Sequence, residues 1–185
     1  MYRNLLFYNY SQCFEYYTQR IMNIRQAKIR GEVIVAKPVL LLSIIDGMEQ
    51  NVFKGNVFVL DDWLEGHYRL LMQQYAHGSQ FGSVTPINNP FWHLVSDGFW
   101  HLNVDEVGAE KTDRISTPSI PWLKAHVRFA YLDDDLWILL SNKEWRTKMR
   151  EYIIEHKLTR SEPSWKAMVA EGFGTIVAFI AAGVA

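Results

Sequence analysis

A helix-rich α+β domain with a small antiparallel sheet is predicted from three features of the chain. Apolar residues recur at three-to-four spacing in several windows of helical length. Short β-prone runs stand at Val57 to Leu60, Phe91 to Val95 and Phe99 to Asn103. Turn-forming residues punctuate the segments between these elements. The 185 residues, 49% hydrophobic and 14% aromatic, suffice for one domain with a real core.

Tyr10 to Lys28 is read as an amphipathic helix, with Phe14, Tyr17, Ile21 and Ile24 on its apolar stripe and Gly31 ending it. A second helix is expected to open at Pro38, whose fixed φ suits the first helical turn. Val39 to Ile45 is apolar almost all round, which places this helix at the centre of the fold. Lys54-Gly55-Asn56 is a turn before the short strand at 57–60. Asp61 then caps a helix whose stripe is Leu64, Tyr68, Leu71 and Tyr75. His77 to Asn89 reads as a polar loop. Phe91 to Val95 and Phe99 to Asn103 follow as a hairpin around Ser96-Asp97-Gly98, each strand carrying Phe-Trp-His-Leu or its echo. Alternation would put Trp92 and Leu94 on one face, Phe91 and His93 on the other.

Asp105 to Ser119 is a second polar loop, after which Pro121 is expected to open a helix reaching Ala130. Asp133 to Leu140 is a short helix with acids at its positive end. Ser141-Asn142-Lys143-Glu144 is a capping box for a last helix that turns Trp145, Met149, Tyr152 and Ile153 inward. Residues 1–158 therefore form the domain, and 159–185 an apolar helical appendage joined at Thr159 to Ser164. Its apolar run, Gly172 to Ala185, is shorter than the roughly 20 residues that span a bilayer. No membrane association is expected, and the N-terminus lacks a signal-peptide pattern. A single cysteine, Cys13, leaves no disulfide framework and fits a reducing, cytoplasmic setting.

Catalytic signatures are missing. The chain has no Gly-x-Ser-x-Gly, no phosphate loop and no dinucleotide glycine fingerprint. His93 and His101 lack the further ligands that zinc needs, and Asp133-Asp134-Asp135 lacks the glycine and distal glutamate of a calcium loop. Cys13 has no histidine beside it in sequence and is read as a packing residue. No catalytic residue, metal or cofactor is assigned.

A binding signal stands out instead. The net charge of −1 gives no support for nucleic-acid binding, yet Arg20, Arg25, Lys28, Arg30 and Lys37 face only Glu32 between residues 20 and 37. Lys37 adds its charge to the positive end of an apolar helix, which favours an anion. Pro90 and its neighbouring aromatic rings offer a rigid apolar wall. The plainer reading of the same residues is an exposed Lys37 and a Pro90-Phe91-Trp92 step in the core.

Three motifs occur in order: Lys37-Pro38-Val39-Leu40-Leu41-Leu42, then Pro90-Phe91-Trp92-x-Leu94 with Asp97-Gly98-Phe99-Trp100, then Ala130-Tyr131-Leu132-Asp133-x-x-Leu136-Trp137-x-Leu139-Leu140. From about Tyr10 to Leu158 the chain resembles the sulfur-binding domain on the N-terminal side of HNH-type restriction endonucleases that attack phosphorothioated DNA. The resemblance implies that Lys37 contacts the modified backbone and that Pro90 belongs to an apolar cavity around the sulfur. It also implies a later arginine at the DNA, Arg114 or Arg128. Departures from the family pattern fall at the same site: Ala36 replaces a histidine, Asn89 a tyrosine, and His93 a small residue. The HNH motif is not in the chain, so any cleavage domain is expected to be a separate or absent segment.

The expected function is thus a DNA-recognition module of a bacterial restriction-type defence system, reading phosphorothioate or another backbone modification on double-stranded DNA. Arg25, Arg30, Lys37, Arg114 and Arg128 form the DNA-contacting set. Asn89, Pro90, Phe91 and His93 form the modification pocket. A nuclease partner and a homodimer are the expected associations. The alternative is a protein-interaction or sensory module of the same fold that has lost DNA binding.

Overall fold

Eleven of the fourteen residues from Ala36 to Glu49 are buried, and no face of this segment is left for water. Such a helix can only be the axis around which others pack. The computed structural model, which describes residues 7, 9–29, 32–75, 85–106 and 116–158, has that arrangement. The helices are α1 (Tyr10–Met22), α2 (Ala36–Glu49), α3 (Asp62–Tyr75), α4 (Asn88–His93), α5 (Ile120–His126), α6 (Asp134–Ser141) and α7 (Lys143–Ile153). A 3-10 turn (Leu94–Asp97) follows α4 and a π turn (Ile154–Leu158) follows α7. The strands are β1 (Lys28–Ile29), β2 (Glu32–Val33), β3 (Trp100–Val104) and β4 (Val127–Leu132). Helix α2 contacts α3, α4, α6 and α7, while α1 lies across α6 and α7. The α+β class and the central place of α2 agree with the sequence.

Several element boundaries differ. Helix α1 stops at Met22, where Asn23 caps it, and Lys28–Ile29 turns back as a strand against Glu32–Val33. Helix α2 starts two residues before Pro38. The proline is harmless there, because amides in the first turn have no helical acceptor. Asn142, not Ser141, caps α7, accepting from the amides of Glu144 and Trp145 at 3.0 and 3.4 Å.

The Phe-Trp-His-Leu hairpin is the main correction. Residues 88–93 are helical and Leu94–Asp97 is a 3-10 turn, whereas Trp100–Val104 pairs antiparallel with Val127–Leu132. Helical spacing lets Phe91, Trp92 and Leu94 all turn inward, which strand alternation forbids. Trp100 is fully buried, donates its indole N–H to Phe91 O at 3.0 Å, and stacks on Phe58 with 5.7 Å between ring centres. These aromatics knit the core. They are not a surface.

The predicted helix from Pro121 ends at His126, and β4 begins at once, so Arg128 to Ala130 are extended. Val127 is β-branched and prefers the pleated surface, where β3 supplies a partner strand. On the other edge of β4 the expected strand at 57–60 shrinks to a single bridge between Phe58 and Ala130. Asn56 extends it with its side chain, donating to Leu132 O at 2.7 Å and accepting from Leu132 N at 2.9 Å. The Asp61 cap on α3 stands as expected, accepting from Leu64 N at 2.9 Å. Among the described residues no helix is long and apolar enough to cross a membrane.

Candidate functional site

Val35 precedes α2 without a side-chain cap, so the first turn presents bare amides and, one residue in, the ammonium of Lys37. Positive charge there works against the helix dipole and calls for an anion. The structure brings one from a distant segment. Lys37 Nζ donates to Asp97 Oδ2 at 2.7 Å, and the two side chains are only 11% and 5% exposed. Asp97 Oδ1 accepts from the backbone N–H of Arg25 at 3.2 Å. Both carboxylate oxygens are thus engaged, one by a cation and one by the chain leaving α1.

Asp97 ends the 3-10 turn, and Gly98 follows at φ 81°, a left-handed conformation that costs glycine nothing. Arg20 clamps the turn from outside, donating Nη1 to the carbonyls of Asp97 and Gly98 at 3.4 and 3.3 Å. A Cβ on residue 98 would sit 2.7 Å from that nitrogen. Lys157 lies nearby, donating to Met22 O at 2.9 Å. Burial lowers its pKa, and the negative Asp97 partly offsets this.

His93 closes α4 beside the pair. Its Nε2 lies 2.7 Å from Thr117 Oγ1. Burial, and then the positive charge of Lys37, hold its pKa below the ordinary imidazole value, so the ring is neutral at pH 7. The cluster therefore presents a lysine with its counter-ion, a neutral imidazole and a clamped turn.

Of the residues singled out from the sequence, Lys37 and Arg25 come together on Asp97, and the charge of Lys37 reaches His93. Arg25 takes part through its backbone, and its side chain is exposed. Asn89 is exposed, Pro90 is buried and Phe91 is fully buried, so Asn89 and His93 are the members of the pocket set that solvent reaches. Arg128 is exposed on β4 in another place, an open groove of about 570 Å³ that it lines with Asp61, Asp62 and Lys124. None of these is a partner of Asp97. Arg30, Arg114 and the run 172–185 lie outside the described residues.

Sequence reasoning missed Asp97, Arg20, Thr117 and Lys157 as members of this cluster. Asp97-Gly98 was legible as a turn, but nothing in the chain ties position 97 to a lysine 60 residues earlier. The two histidines have separate partners: His101 Nε2 donates to Asp133 Oδ1 at 2.6 Å, and His93 meets Thr117. Asp133 also accepts from Tyr17 Oη at 2.9 Å, so the acidic run ties α1 to β3 besides standing at a helix start. Among the described residues no group of three or more His, Cys, Asp or Glu side chains could hold a metal. Burial, and then Asp135, push the Cys13 thiol up to about 12, which suits a packing residue.

Neither a family model nor a curated protein matches the chain. Solved structures do. The sulfur-binding domain of SprMcrA, complexed with phosphorothioated DNA, superposes with a TM-score of 0.59 at 15% identity, over 84% of this chain and 91% of that one. The sulfur-binding domain of ScoMcrA, also complexed with phosphorothioated DNA, gives 0.54 at 21% identity over 80% and 92%. The type IV phosphorothioation-dependent restriction endonuclease ScoMcrA gives 0.53 at 21% identity, over 76% of this chain and 29% of that one. The fold of this chain is that of the sulfur-binding domains.

Proposed function

We propose that the domain is a DNA-recognition module that reads phosphorothioate or another modification of the DNA backbone. The observation that carries this reading is the Lys37 ammonium, set on the rigid first turn of α2 beside neutral His93, in a fold shared with domains solved on phosphorothioated DNA. A sulfur-bearing backbone spreads its charge over a larger, less hydrated atom than oxygen. A site that pairs one cation with an imidazole face and an exposed asparagine is chemically suited to it. Lys37, Arg25, Arg30 and one of Arg114 or Arg128 would supply backbone contacts, which position the DNA, while Asn89 and His93 would discriminate. Pro90 and Phe91 would support that wall from beneath.

The test is fluorescence anisotropy with two duplexes that differ by one phosphorothioate, across a range of salt. Tighter binding of the sulfur-bearing duplex is the expected result. Equal binding would give the module another DNA target, and the apparent affinity should in either case fall as salt rises. One observation favours a second reading, an interaction module that has left DNA behind: Lys37 already has a close counter-ion within the protein. No binding to either duplex at low salt would select it.

The domain that would do this is residues 1–158. Residues 159–185 would be an appendage, through which a homodimer or a nuclease partner would be reached. Light scattering of the full chain against one ending at Leu158 tests the dimer, since an unchanged mass excludes the tail as its interface.

A further inference from the structure

We infer that Asp97 is a built-in competitor for the DNA backbone at Lys37, and that it sets how strongly the site prefers a modified backbone over an ordinary one; this rests on the DNA-recognition reading above. Three observations carry it. The Lys37–Asp97 pair is close and nearly closed to solvent, at 2.7 Å with side chains 11% and 5% exposed. A backbone anion therefore cannot collect the full charge of Lys37 unless it displaces or shares that carboxylate. The carboxylate is also fixed in place from three sides, by Lys37, by the Arg25 amide and by the turn that Arg20 clamps. It does not drift away when unpaired. Finally, His93 ends α4 and Asp97 ends the 3-10 turn that follows it at once, so competitor and recognition wall stand on successive turns of one segment.

The consequence is a shift in what the site rewards. An ordinary phosphodiester binds such a site chiefly through its charge, and that gain is reduced when Lys37 is already neutralised. A softer anion loses the same electrostatic gain but keeps its contact with the imidazole face and Asn89. Internal neutralisation thus lowers affinity for all DNA and raises the share that depends on the modification. Basic residues around the turn, Arg20 and Lys157 among them, keep the neighbourhood cationic enough for DNA to approach.

Asp97→Asn is the discriminating variant, because asparagine keeps the shape and the oxygen that accepts from Arg25 N–H. Its fold is checked by circular dichroism and thermal melting. Binding of the paired duplexes is then measured over salt beside the unchanged protein. The expected result is severalfold tighter binding of both duplexes at low salt. The slope of log affinity against log salt should steepen by about one, since one more phosphate is neutralised. The preference for the sulfur-bearing duplex should shrink. A folded variant with the unchanged slope and preference would overturn the inference and leave the recognition reading intact. Binding by the variant alone would support it in its strongest form, with Asp97 as a full block. No binding by either protein would overturn the recognition reading and the inference together.

Discussion

Helix α2 carries charge against its own dipole at both ends, and the two ends resolve the conflict differently. At the C-terminal end Asp46 and Glu49 face the negative pole. Cations from α7 answer them: Arg150 Nε meets Asp46 Oδ1 at 2.8 Å, and Arg146 places Nη2 and Nε at 2.6 and 2.8 Å from Glu49 Oε2. His67, stacked on Trp63, adds a second contact to Asp46 at 3.0 Å. This end is a redundant network between helices, and it fastens α3 and α7 to α2. At the N-terminal end a single carboxylate, carried on a turn, answers a single lysine. One exchangeable partner is what a ligand site needs, and several shared partners are what a structural junction needs. The charge pattern on α2 is the same kind of fault twice, answered by one carboxylate at the first end and by several cations at the second.

The comparison can be broken most directly by Lys37→Ala. This leaves Asp97 buried and unpaired, and it is expected to cost about 3 kcal/mol in urea unfolding. Replacing both partners, Lys37→Met with Asp97→Leu, should return most of that stability while leaving DNA binding lost. Recovery of binding by the double variant would remove the pair from the interface. Next in size is Gly98→Ala, which forces a side chain into the left-handed region and against Arg20. A loss of about 1–2 kcal/mol is expected from the backbone alone, with weaker DNA binding as the turn shifts. At the redundant end, Arg150→Ala should cost only about 1 kcal/mol, because Asp46 keeps His67 and the arginine is partly exposed. That loss should fade as salt rises in the unfolding buffer. DNA binding should not change.

The smallest expected effect is a pH dependence at His93. Its folded pKa lies below the ordinary value, so the unfolded chain binds the proton more readily. Its contribution to stability is whole above the ordinary imidazole pKa and declines as pH falls through that value. Urea midpoints at pH 7.5 and 5.5 should differ less in His93→Gln than in the unchanged protein. Equal differences would mean that the ring is not held neutral by its surroundings.

Much of this was readable in the chain, and the pattern of success is physical. Val39 to Ile45 announced the central helix because an all-apolar helical segment has no other stable place. Asp61 announced the start of α3 because capping is settled within three residues. Phe91-Trp92 and Phe99-Trp100 misled, since short apolar runs carry no reliable period and fit strand or buried helix equally well. Lys37 could be picked out as a cation at a helix mouth, but its burial and its partner could not.

Local chemistry by itself therefore determined the helix-rich class, the axis of the fold, the α3 cap and the place of Lys37 in the first turn of the central helix. Each depends on residues within one or two turns of each other. Tertiary structure alone decided that the aromatic motifs go to the core, that β3 finds β4 across 22 intervening positions at its closest register, and that Asp97 meets Lys37. Those outcomes depend on which distant surfaces bury together, and a sum of local preferences does not contain that information.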